Sequence, residues 1–88
     1  MLEFLKKNTE LVESFKKPTY LYEGGVLTYY HFKIGNNHFM LSVNEDNCGC
    51  VLTDYIVESE TTSKVIAMGS KNNIKETIKK LIIKSEVN

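Results

Sequence analysis

VLTYYHFKIGNNHFMLSVN, residues 26–44, holds two alternating runs on either side of a turn. In Val26–Ile34 and again in Phe39–Val43, large apolar residues recur every second position, the period of a half-buried strand. Gly35-Asn36-Asn37-His38 separates the runs, and Gly and Asn both enter left-handed backbone geometry at little cost. The stretch therefore reads as an antiparallel hairpin. Directly paired residues share one side of a sheet, so either register at Gly35–Asn37 sets Phe32 and Ile34 beside Phe39 and Leu41.

Working outward, Gly24-Gly25 suits a two-residue hairpin turn between Thr19–Glu23 and the strand from Val26. That turn pairs Glu23 with Val26 and Leu21 with Thr28. On the other side, the loop Glu45–Gly49 leads to a strand over 50–58, and Lys64–Met68 offers a fifth after the polar Ser59–Thr62. The sheet so predicted is a meander.

Helices are expected at both ends. Phe4, Leu5, Leu11, Val12 and Phe15 lie on one stripe at helical spacing, and Glu3–Lys7 and Glu13–Lys17 are i, i+4 pairs. Pro18 disfavours helical geometry at Lys17, which predicts a helix over 2–17. Asn8 interrupts the stripe and offers an alternative start. At the C-terminal end Asn73 and Glu76 have capping-box spacing, and Ile74, Ile78, Leu81 and Ile82 make one apolar face. The expected fold is one α+β domain over 1–88: helix, four- or five-stranded antiparallel meander, helix.

The predicted pairing divides the sheet into two faces. One carries Leu21, Val26, Tyr30, Phe32, Ile34, Phe39, Leu41 and Val43, joined by Val51, Tyr55 and Val57 if Val43 lies beside Val51. This is the expected core face. The other carries Tyr20, Tyr22, Leu27, Tyr29, His31, Met40, Leu52 and Ile56, with Lys33, His38 and Asp54 among them. A solvated face is ordinarily rich in Lys, Glu and Thr. Tyr and Met are instead enriched where proteins meet, so Tyr20, Tyr22, Leu27, Tyr29, His31 and Met40 are the candidate partner-binding residues. The competing reading places a helix on each face and buries these residues in a second core.

Composition narrows the function. The 88 residues carry 11 basic and 11 acidic side chains, and every basic one is lysine. Zero net charge and the absence of the arginine fork disfavour a nucleic-acid partner. The N-terminal stretch carries Glu3 and Glu10 and no long apolar run, unlike a signal peptide, and no run approaches a membrane span, so a cytoplasmic location is expected.

Candidate chemistry is sparse. Cys48-Gly49-Cys50 is a weak redox or metal signal, better read as a turn whose cysteines stay reduced. His31 and His38 would share a face, yet their spacing with the cysteines matches no zinc module. There is no nucleophile elbow, phosphate loop or calcium loop. Hence no catalytic residue, metal or cofactor is expected. The sequence points to a non-enzymatic protein–protein binding module, for which a stoichiometric inhibitor or regulator encoded by a phage or another mobile element is one form. Alternatives are a protein that sequesters a small molecule or nucleotide on the aromatic face or in a dimer cleft, and a structural homo-oligomer such as a homodimer.

Overall fold

The computed structural model describes residues 1–18, 25–46 and 48–87. The element order is α1 (Leu2–Asn8), β1 (Glu10–Pro18), β2 (Val26–Ile34), β3 (Asn37–Asn44), β4 (Cys50–Ile56), β5 (Thr61–Gly69) and α2 (Lys71–Val87). The five strands form one antiparallel sheet in the order β1-β2-β3-β4-β5. The α+β meander between two helices is thus the fold expected, with residues 61–69 as its fifth strand.

The central hairpin forms as its sequence directs. Phe32 pairs with Phe39 and Ile34 with Asn37 across Gly35-Asn36. Gly35 has φ +61°, the positive angle that a type II′ turn requires at its first central position.

The N-terminal region departs from expectation. The helix ends at Asn8, and residues 10–18 are a strand instead of its second half. Side chains close α1: the Asn8 amide donates to the Phe4 carbonyl (2.8 Å) and the Thr9 hydroxyl to that of Leu5 (2.7 Å). Thr9 is already extended, so the chain passes directly into β1. A register shift between Leu11 and Glu13 in the β1–β2 ladder places Leu11 and Val12 side by side. That irregularity breaks the period of two and lets the segment imitate a helical stripe. Thr28 pairs with Lys16, and its expected partner Leu21 lies outside the described residues. The proposed strand Thr19–Glu23 lies outside the described residues.

One core holds the molecule together. Leu5 of α1 and Ile74 and Ile78 of α2 are fully buried in the same cluster as Phe32, Leu41 and Leu52 of the sheet. Both helices therefore cover one face of the sheet, and the fold has two layers. Phe32 and Phe39 stack within it at 5.6 Å between ring centroids. The cap of α2 differs from the one expected: the Asn73 backbone N–H donates to the Ser70 hydroxyl (3.2 Å), so Ser70 is the capping residue. No helix among the described residues is long and apolar enough to cross a membrane.

Candidate functional site: the uncovered face of the sheet

Pairing fixes which side chains share the second face. Phe15 pairs with Tyr29, Tyr29 with Ser42, Ser42 with Val51 and Val51 with Met68, making one row across all five strands. A parallel row runs Glu13, His31, Met40, Thr53, Val65. On the opposite flank Lys17 pairs with Leu27 and Leu27 with Asn44. No element among the described residues packs over these rows. Met68 is 69% exposed and Val65 55%, while Phe15, Leu27, Tyr29, Met40 and Val51 are half-buried.

Of the sequence-predicted binding residues, Leu27, Tyr29, His31 and Met40 are brought together on this face. Tyr20 and Tyr22 lie outside the described residues. The β4 residues are exchanged: Val51 and Tyr55 belong to this face, whereas Leu52 is fully buried in the core. The 44–49 loop causes the exchange. Asn44 donates its amide to the Gly49 carbonyl and accepts from the Cys48 amide, both at 2.8 Å. Val43 is thereby set opposite Cys50 and not Val51. A slip of one residue transfers every side chain of a strand to the other face. Cys48, at φ +60°, supplies the left-handed position within the loop. Sequence reasoning also missed Phe15, placed in a helix, and Val65 and Met68, whose strand was not assigned to a face. For Phe15 a signal existed in Pro18, which is as much at home ending an edge strand as stopping a helix.

Aromatic contacts stiffen the face. Phe15 and Tyr29 stack at 5.2 Å with planes 15° apart, and the Lys17 ammonium lies 5.5 Å from the Phe15 ring centre. Tyr55 leans on His31 at 4.4 Å, and His31 Nε2 lies 2.8 Å from His38 Nδ1. This is hydrogen-bond distance, so one ring donates and the other accepts, which requires at least one neutral imidazole. Beside them Lys33 forms an ion pair with Glu10 at 3.6 Å.

Burial holds the His31 pKa below the ordinary value of 6.5; His38 adds to that effect and Glu13 opposes it. Between the folded pKa and 6.5 the unfolded chain binds a proton that the folded chain does not, so stability rises with pH through that window. It is complete above about pH 6.5 and declines as pH falls through the window toward the folded value. Thermal melts at descending pH should therefore show a loss in the wild type that His31→Gln lacks. An identical profile in both proteins would detach the loss from His31. The groups facing His31 are Glu13 on β1, Lys33 on β2, His38 on β3 and Tyr55 on β4.

Other reactive groups lie elsewhere. Cys48 is exposed and Cys50 buried, both as free thiols, and burial pushes the Cys50 pKa up, which disfavours a thiolate. The buried Thr28 hydroxyl donates to Glu45 Oε1. Among the described residues no three His, Cys, Asp or Glu side chains are arranged to hold a metal ion. No protein-family model matches this chain, and no curated protein or solved structure is significantly similar to it.

Proposed function

We propose that the chain is a non-enzymatic protein–protein docking module that binds through the uncovered face of its sheet. The observation that supports this most is the cross-strand row Phe15–Tyr29–Ser42–Val51–Met68, largely apolar and with no element among the described residues packed over it. Contiguous exposed apolar surface marks interaction sites, and aromatic residues are frequent hot spots within them. The edges of the sheet are less suited to a partner strand. The β1 ladder has a register shift and its strand carries two glutamates and two lysines, while the β5 ladder has two shifts and its strand carries Lys64. Bulges and charges of this kind protect edges from pairing.

A photo-crosslinking amino acid at Tyr29, with one at the exposed Lys80 of α2 as control, tests the docking surface in producing cells. Polypeptide adducts are expected from position 29 and not from position 80. Equal yields, or none from the face, would remove this reading. A second reading, sequestration of a small molecule, is favoured by a groove at one end of the face lined by Leu27, Ser42, Asn44, Val51, Met68 and Gly69. It would be supported by a small adduct retained in native mass spectrometry.

A further inference from the structure

We infer that the partner of the uncovered face is a second copy of this chain, packed face to face about a two-fold axis running along the Phe15–Met68 row. The inference rests on the docking reading and names its occupant.

Three features of the face lead there. The first is the pattern of charge about the row. On β1, Phe15 belongs to the row, with Glu13 two positions to one side and Lys17 two positions to the other, all on the same face. A two-fold axis along the row lays β1 of one copy over β1 of the other with the directions reversed. Glu13 of each copy then meets Lys17 of the other, so one charge pair is made twice, as an isologous interface requires. A two-fold axis parallel to the strands would instead stack β1 and its charges over the apolar Val65 and Met68 of β5. Charge thus selects one of the two simple ways of stacking the sheet on itself.

The second feature is the row itself. Residues on a two-fold axis meet their own counterparts, and a residue that carries charge there repels itself. Phe15, Tyr29, Ser42, Val51 and Met68 are all uncharged and four of the five are apolar or aromatic. On this face the charged residues of β1 and β2 lie off the axis, Glu13 and Lys17 in the rows on either side of it and Glu10 and Lys33 in a row further out. Two such faces pack as an aligned sandwich, and zero net charge imposes no long-range repulsion between copies.

The third feature is area. Five strands about 4.8 Å apart and about seven residues long at about 3.4 Å each present a face of roughly 24 by 24 Å. A face of that size buries about 600 Å² per copy and about 1,200 Å² in the pair, the lower bound for specific complexes. The dimer should accordingly dissociate measurably on dilution.

Sedimentation equilibrium of the full chain over a wide concentration range tests this, with the variants Glu13→Lys, Lys17→Glu, their double swap and Met68→Glu. The wild type should shift from monomer to dimer mass with concentration. Each charge reversal sets two like-charged contacts across the axis and should weaken the dimer about tenfold or more. The double swap restores both pairs and should recover affinity to within about threefold, which a merely destabilised variant would not do. Met68→Glu sets two carboxylates face to face and should leave only monomer. All three positions are exposed, so the variants are expected to fold, as circular dichroism would verify.

A wild type that stays monomeric up to millimolar concentration would overturn the second copy as occupant. So would a dimer indifferent to Met68→Glu and to the charge reversals, since the contact would then lie elsewhere. If the monomer still yields adducts with a different polypeptide at position 29, the docking reading stands without this inference. If it yields none, both fall together.

Discussion

Phe32→Ala should unfold much of the protein at room temperature, while Tyr29→Ala should leave it folded. The two residues lie three apart on β2 and on opposite faces of the sheet. Phe32 is fully buried, stacked on Phe39 and enclosed by the cluster that both helices enter. Truncating a buried phenylalanine leaves a cavity and costs about 3–5 kcal/mol. Domains are commonly stable by only about 5–15 kcal/mol, and one this small belongs near the lower figure. Tyr29 loses chiefly its stack on Phe15, an aromatic pair contributing about 0.5–1.5 kcal/mol beyond its area. Urea titrations of both variants at one low concentration, where the wild type is monomeric, provide the comparison. Coincident midpoints would mean that the Tyr29 face is packed as tightly as the core.

Leu52→Asp and Val51→Asp should differ by more still, although they are neighbours in sequence. Leu52 is fully buried opposite Leu41 on the helix-covered side. A carboxylate there has no partner, and uncompensated buried charge is among the few single changes costing more than about 4 kcal/mol. That variant should lack cooperative unfolding altogether. Val51 is half-buried on the open face, where a carboxylate keeps contact with water. Val51→Asp should retain the native circular dichroism spectrum and lose self-association, because residue 51 lies on the inferred two-fold axis. Reversal of the two outcomes would mean that β4 is paired one residue out of register and that its faces are those expected from sequence.

Local signals sufficed in the central hairpin and in the C-terminal helix. Residues 26–44 were legible because Gly35 takes the positive φ of a tight turn at little cost, and because the alternation on each side of it is uninterrupted. The C-terminal helix was legible because Ile74, Ile78, Leu81 and Ile82 repeat at one period, although its cap was read three residues late. Two places failed for related reasons. In residues 10–18 a bulge sets Leu11 and Val12 in succession, and the resulting spacing to Phe15 imitates a helix turn. At β4 the assignment depended on how many residues the 44–49 loop consumes, a matter settled by the Asn44–Gly49 pairing and not by hydrophobicity. The candidate site inherited both errors. Leu27, Tyr29, His31 and Met40 came from the well-read hairpin, whereas Phe15, Val51, Val65 and Met68 came from strands whose existence or side was misread or unassigned.

Because each strand lies beside its successor in sequence, the sheet can be assembled hairpin by hairpin without any strand crossing the molecule. The loop closed at each step is short, so the entropy lost in closing it is recovered almost at once by pairing. Folding rates follow this locality, and antiparallel meanders lie toward the rapid end of the range for sheet proteins. The β2–β3 hairpin, with its two-residue turn and the buried Phe32–Phe39 pair, is the natural nucleus on which the flanking strands grow. The helices are local structures too, but they gain most of their stability by settling on a sheet that already exists. A chain organised in this way exposes its strand edges only briefly during synthesis, the interval in which sheet proteins are most prone to aggregate.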